Sequence, residues 1–286
     1  MRVAGLRSCV RRVVRVDERF RMDAAALNEA IVADRQAGLA PWLIVASAGT
    51  TNTGSVDPLA GIADVAASHG LWYHVDGAYG ALFALCPEGR AVLAGMDRSD
   101  SVVLDPHKTL FLPYGTGTVL VKDRANLYAA FNAHADYLQD VLDAVDELSS
   151  ADLSPELTRH FRGLRLWLPL KLLGVAPFRA ALSEKIHLAR YFYEQIQRVD
   201  GFEVGPYPDL SVVIYRYLPK RGDPDAFNQC LMGAIQDEGR VFVSSTRVDG
   251  AFVLRAAIVS FRTHLDEVDQ ALDVLRRTAK ELEARR

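Results

Sequence analysis

The sequence is poor in cysteine, with Cys9, Cys86 and Cys230 its only 3 in 286 residues, odd in number and far apart. Such a set excludes a disulfide framework. No Cys-x-x-Cys or His-Glu-x-x-His spacing offers a local zinc site. Reduced thiols in a cytoplasm are the natural expectation. Surplus basic charge is also missing: a net charge of -3 leaves no footprint for nucleic acid or an anionic membrane. The cluster Arg7, Arg11, Arg12 and Arg15 is interleaved with valine and reads as the exposed face of a strand, not a binding arm. No apolar run approaches the roughly 20 residues a helix needs to span a bilayer. The first residues lack the apolar core of a secretory signal. Internal repeats and low-complexity linkers are absent too.

What is present is ordinary globular material, 50% hydrophobic and 24% charged, long enough for one large or two modest domains. Val10 to Val16 reads as a strand. A helical pattern opens at Asp23 and ends near Gly38. Trp42 to Ala46 is a continuous apolar run, as expected of a strand covered on both faces. After a Gly-Thr-rich turn at Gly49 to Gly54, a helix starts near Asp57-Pro58, where Asp can cap and Pro suits the first turn, and stops at Gly70. Strands follow at Leu71 to Val75, Ser101 to Leu104 and Thr116 to Val121. This alternation predicts an α/β layered sheet with mainly parallel strands, whose ligands bind beyond the carboxyl ends. Those ends carry Gly49-Thr50-Thr51, Asp76-Gly77-Ala78-Tyr79 and Asp105-Pro106-His107-Lys108.

Residues 1–150 are expected to form the large domain and 151–177 a helical connection, running from Pro155 to Leu173 and broken at Pro169. Residues 178–286 are expected to form a smaller α+β domain. Its elements are helix Phe178 to Val199, strand Ser211 to Tyr217, helix Asp223 to Glu238, and strands Val241 to Thr246 and Ala251 to Val259, turned by Asp249-Gly250. The last helix begins at Thr263, with Asp266 placed for a capping box.

A lysine at a strand end is a candidate Schiff-base former, because partial burial favours the neutral, nucleophilic amine. Alone, Lys108 reads more simply as a solvated surface lysine. Asp76, at the end of another strand, sharpens the case. An ionised carboxylate can keep a pyridine-type cofactor nitrogen protonated, so that the ring draws electrons from a breaking bond. Taken alone, Asp76 would be a turn-forming Asp before Gly77.

The runs Gly49-Thr50-Thr51-Asn52-Thr53-Gly54-Ser55-Val56-Asp57, His74-Val75-Asp76-Gly77-Ala78-Tyr79-Gly80 and Asp105-Pro106-His107-Lys108 occur in a telling order. With them go Arg159-His160-Phe161-Arg162-Gly163-Leu164-Arg165-Leu166-Trp167, Val253-Leu254-Arg255-Ala256-Ala257-Ile258 and Phe261-Arg262-Thr263. In motif, order and spacing they resemble the group II pyridoxal-phosphate decarboxylases, the family of aromatic-L-amino-acid, histidine and glutamate decarboxylases. The resemblance covers nearly the whole chain. It implies a fold-type I, aspartate aminotransferase-like α/β three-layer sheet, incomplete at the N-terminus, with the smaller domain appended.

It also implies roles. Lys108 would carry pyridoxal 5′-phosphate as the internal aldimine and Asp76 would pair with the pyridinium nitrogen. Ala78 would pack against the ring, Thr51 would line the pocket, and His107 would sit near the phosphate and the Schiff base. Tyr137, in Asp136-Tyr137-Leu138, falls where the family has a mobile-loop tyrosine that reprotonates the quinonoid carbon. Arg255 matches an arginine that meets the substrate carboxylate in glutamate decarboxylases. The implied reaction is decarboxylation of an L-amino acid to its amine, by a cytoplasmic homodimer.

Plainer readings stand beside these. Thr51 could only stabilise a turn, His107 could be a core histidine, Ala78 could be small for packing, and Tyr137 could be a surface aromatic. Arg255 and Arg262 could be structural salt-bridge partners. At Asp105 the family often has Asn, which can donate to the phosphate; an ionised Asp cannot, but it could orient His107. The resemblance further implies a segment ahead of Val13 holding the phosphate loop, an arm that wraps the partner subunit, and a ring-stacking histidine. Those motifs are not in this sequence, which therefore looks like a fragment or a misplaced start. Aldehyde synthase, carbon–sulfur lyase or aldolase chemistry on the same fold remains open, as does a non-catalytic remnant.

Overall fold

The computed structural model describes residues 5–131 and 150–285. The first sheet has the order β1-β2-β3-β4, formed by β1 (Leu43–Ser47), β2 (Trp72–Asp76), β3 (Ser101–Leu104) and β4 (Thr118–Val121). β1, β2 and β3 are parallel, with Ser47 opposite Asp76 and Asp76 opposite Val103, while β4 runs antiparallel to β3. Helix α1 (Ala24–Gln36) starts where Asp23 accepts the amides of Ala25 and Ala26, the cap its position foretold. Helix α2 (Leu59–His69) ends on Gly70 in the left-handed conformation. Then come the short α3 (Pro87–Val92), the single turn α4 (Pro106–Thr109) and α5 (Arg124–Phe131).

Helices α6 (Leu164–Leu173) and α7 (Ala176–Ile196) lead to the second sheet, which is antiparallel throughout in the order β5-β6-β8-β7. Its strands are β5 (Phe202–Val204), β6 (Val212–Tyr217), β7 (Ser244–Val248) and β8 (Ala251–Ala257). Asp249 and Gly250 both have positive φ, 48° and 83°, as a tight hairpin turn between right-twisted strands requires. Helices α8 (Pro224–Glu238) and α9 (Leu265–Ala284) cover this sheet; α9 buries Val268, Leu272, Leu275 and Ala279 at helical spacing. Helix α7 serves both cores: Phe178, Leu182 and Ile186 belong to the first, Leu188, Phe192 and Ile196 to the second.

Six local expectations need correction. Val10 to Val16 forms no strand, because among the described residues it has no neighbour to bond to apart from a single Val16–Met22 bridge. Its arginines are tied to acids instead, Arg12 to Asp34 and Arg15 to Asp23. β1 is covered on one face only; Leu43 and Val45 remain 38% and 46% exposed. Helix α6 runs through Pro169, since the hydrogen bond lost is the one to the Arg165 carbonyl near the start of the helix. The stretch from Pro155 to Gly163 is not helical. The capping box of α9 is shifted by one residue, to His264 and Glu267.

Nor does Asp57 cap α2. This buried carboxylate turns the other way and accepts the amides of Met22 and Ser47, each at 2.7 Å. Burial pushes its pKa up, and the two amides only partly offset that cost. The ionised form is therefore less favoured in the folded protein than in the unfolded chain, so this group's contribution to stability rises as pH falls from neutral toward the ordinary carboxylate range. Asp57→Asn can accept only one of the two amides and should cost about 1–3 kcal/mol. Urea unfolding of both proteins at pH 7 and pH 5 should show the Asp57 contribution growing at the lower pH and no such component in the variant.

Candidate active site

The parallel strands deliver their chemistry at one end. Asp76 is the last residue of β2 and is exposed; its Oδ1 accepts the Ala78 amide at 3.2 Å. On the neighbouring strand, β3 ends at Leu104 and the chain turns at once into α4, which carries His107 and Lys108. Pro106 suits the first position of this turn, where no amide donor is needed. Lys108 Nζ is held by Asp105 Oδ2 at 2.8 Å, with 43% of the lysine side chain exposed and 16% of the aspartate. His107 Nε2 lies 4.0 Å from the same oxygen, and its Nδ1 is buried with no partner among the described residues. Gly117 leaves room for Asp105: a Cβ there would stand 3.1 Å from Asp105 Oδ1.

On the same face as Asp76, His74 Nδ1 and Trp72 Nε1 converge on Ser101 Oγ at 2.8 and 2.9 Å. Burial lowers the His74 pKa while Asp76 acts the other way, so the ring is neutral near pH 7. The segment after Asp76 is tightly nested. A Cβ on Gly77 would fall 2.5 Å from Ala81 Cβ, and one on Gly80 would fall 2.2 Å from the Ala48 carbonyl oxygen. Between them lie Ala78, half-buried, and Tyr79, whose hydroxyl meets Ser211 Oγ of the second lobe at 2.6 Å. Burial pushes the Tyr79 pKa up to about 12, so the hydroxyl keeps its proton.

The Gly49–Gly54 loop is gripped from the second sheet. Arg255 Nε donates to the Asn52 carbonyl at 3.0 Å, and Thr246 Oγ1 donates to Asn52 Oδ1 at 3.1 Å. Arg255 also reaches Ser244 Oγ at 3.3 Å. Partial burial lowers the Arg255 pKa, and among the described residues it has no carboxylate partner. Thr51 is exposed at the tip of this loop, while Thr50, Thr53 and Ser55 form a hydroxyl chain beneath it. Asp105, His107 and Lys108 thus form one cluster, with Asp76 and Ala78 on the adjacent strand end. Thr51 and Arg255 are brought together on the loop between the lobes. Tyr137 lies outside the described residues.

Sequence reasoning missed the Asn52 clamp and the Ser101 hydroxyl, because both are long-range contacts with no spacing signature. The Asp105–Lys108 pair did have one: an acid three residues before a lysine on a helical turn. A ring-bearing carbonyl cofactor with a basic ring nitrogen fits what is here: an accessible amine, a carboxylate open to solvent and an orphaned buried imidazole nitrogen. Among the described residues, no group of His, Cys, Asp or Glu could hold a metal ion, and no helix is long and apolar enough to cross a membrane.

A mainly parallel sheet with a lysine and an acid at adjacent strand ends, backed by a smaller antiparallel lobe, has the fold-type I architecture of solved pyridoxal-phosphate decarboxylases. The comparisons narrow this further: residues 2–218 match the pyridoxal-dependent decarboxylase conserved domain, and the chain belongs to that family. It is 35% identical over 274 residues to an aromatic-L-amino-acid decarboxylase of Bacillus atrophaeus, which covers 94% of this chain and 57% of that protein. A phenylacetaldehyde synthase of Petunia hybrida is 32% identical over 271 residues, 91% of this chain and 54% of that one. Among solved structures, Oryza sativa TDC with PLP and tryptamine superposes with a TM-score of 0.91 at 32% identity, covering 99% of this chain and 60% of that chain. The chain therefore spans little more than half the length of the relatives it matches.

Proposed function

We propose that this protein serves in the pyridoxal-phosphate-dependent decarboxylation of an L-amino acid, releasing the amine and carbon dioxide. The observation that carries the reading is the pairing of Asp76 and Lys108 on adjacent parallel strand ends, in a chain of this family. Bound there, the cofactor would supply an electron sink for the breaking Cα–carboxylate bond. Lys108 would hold it covalently through Nζ and return to that bond after each turnover. Asp76, an open carboxylate, would keep the ring nitrogen protonated. His107 Nδ1, buried and unpaired, is a donor or acceptor waiting for a partner on the cofactor. Ala78 would bear on the ring, and Thr51 would line the pocket rim.

Asp105 anchors the Lys108 ammonium where the family often carries Asn, so its part here is to hold the lysine rather than to donate to a phosphate. Arg255, a cation without an acid partner among the described residues, would receive a substrate carboxylate while it grips Asn52. Tyr137 is assigned the proton delivered to Cα. An aromatic substrate accords with the names of the relatives, a cytoplasmic setting with the free Cys9, Cys86 and Cys230. A homodimer accords with apolar side chains left open, such as Trp167 at 57% and Leu172 at 72% exposure.

The similarity to a phenylacetaldehyde synthase supports a second outcome, aldehyde and ammonia in place of amine. Incubation with pyridoxal phosphate and L-tryptophan, L-tyrosine or L-phenylalanine, followed by mass spectrometry, separates them. Amine as the accumulating product is expected. Aldehyde with ammonia would establish the second outcome, and bound cofactor with no turnover of any amino acid would refute both.

A further inference from the structure

The helical turn bearing Lys108 ends in an unusual way. Phe111 has φ 60°, the left-handed conformation that closes many helices and is normally left to glycine. Leu110 is buried and its amide bonds back to the Pro106 carbonyl, as does the amide of Leu112. Phe111 therefore sits in a disfavoured conformation within the reversal that aims Lys108, and such conformations persist only where the surroundings hold them.

What holds it comes from the other lobe. The Phe111 ring packs edge-on against Phe261, with centroids 6.3 Å apart and planes at 60°. Phe261 lies under the Arg262 guanidinium, 5.2 Å from its ring centroid. The turn carrying both is closed by the Thr263 amide on the Ser260 carbonyl at 3.2 Å and by the Arg262 amide on Ser260 Oγ. This turn is pinned in its turn by Lys185, whose side chain has 0% exposure. Lys185 Nζ donates to the Thr263 carbonyl and to Glu184 Oε2, while His264 Nδ1 meets Glu184 Oε1 at 2.7 Å. A fully buried lysine is retained only when its bonds are satisfied. Here they fix a surface turn that carries Phe261 against Phe111.

We propose that Lys185 and Phe261 are positioning residues for Lys108: Lys185 pins the Ser260–Thr263 turn, and Phe261 braces Phe111 so that the lysine-bearing turn keeps one orientation. This gives the Phe261-Arg262-Thr263 motif a role. The proposal rests on Lys108 as the reactive amine, but its test needs no cofactor, so the two can fail separately.

The test is hydrogen exchange by mass spectrometry on the full chain, with acetic anhydride labelling of Lys108 relative to Lys122 as a second reading. Phe261→Ala, a substitution at a side chain 54% exposed, should leave the fold intact and speed exchange of the Lys108, Leu110 and Leu112 amides about tenfold. Lys185→Met should do the same and also release the Ser260–Thr263 turn. Both should alter the relative labelling of Lys108. In the Phe111→Gly background, where a positive φ costs nothing, Phe261→Ala should add no further exchange. Wild-type exchange at Lys108 to Leu112 in folded Phe261→Ala would overturn the proposal. So would an undiminished effect of Phe261→Ala in the Phe111→Gly background.

Discussion

Asp76→Asn should slow decarboxylation by roughly 10²–10³-fold, the loss typical when one preorganised electrostatic partner is removed, while leaving stability almost unchanged. The two halves of that expectation have different causes. Asp76 is exposed and accepts one backbone amide, so the fold asks little of its charge. A surface site of this kind usually moves stability by no more than about 0.5 kcal/mol. On the proposed function the rate, by contrast, depends on a negative charge beside the cofactor nitrogen, and Asn keeps the shape without the charge. Turnover and urea unfolding of the same preparation decide the matter. An equal loss in both would mean that Asp76 is structural, and full activity would remove it from the site.

Gly80→Ala should be the most damaging small substitution in the molecule. The added methyl would lie 2.2 Å from the Ala48 carbonyl oxygen and 2.6 Å from Leu210 Cδ1, one a buried backbone atom just after β1 and the other a buried core side chain. Neither can withdraw cheaply, and overpacking of a filled core costs typically 1–3 kcal/mol or more. Backbone displacement should put this case at or above about 3 kcal/mol. It would also shift Tyr79 from Ser211 and loosen the contact between the lobes. Gly233→Ala in α8 is the control: nothing lies within 4 Å of its Cβ position, so the helix should gain up to about 1 kcal/mol. Denaturant midpoints of the two variants should move in opposite directions.

Much of the site was legible in the sequence because strand ends are marked by local residues. The apolar runs before Asp76 and Asp105 stop at carboxylates followed by Gly or Pro, and those are the points where β2 and β3 end. Asp23 and Asp223 cap helices by bonds to amides two and three residues ahead, which is also local information. What could not be read was decided across the chain. The valines from Val10 to Val16 favour a strand, but a strand needs a neighbour along its length, and among the described residues only Val16 has one, at Met22. Asp57 stands before a helix-starting proline, yet distant amides from Met22 and Ser47 claim it. Arg255 was readable as a cation on a strand; that it grips Asn52 follows only from how the lobes meet. Thr263 lost the cap of α9 to His264, and its own carbonyl is bound by Lys185.

The central claim is that Lys108 is the amine that takes the cofactor. Its most direct test is incubation with pyridoxal 5′-phosphate, reduction with borohydride, and peptide mass spectrometry. The account predicts the pyridoxyl mass on the peptide containing Lys108, with the accompanying absorbance band lost in Lys108→Ala. The same mass on Lys122 or Lys171 in place of Lys108, or a band that survives Lys108→Ala, would contradict it.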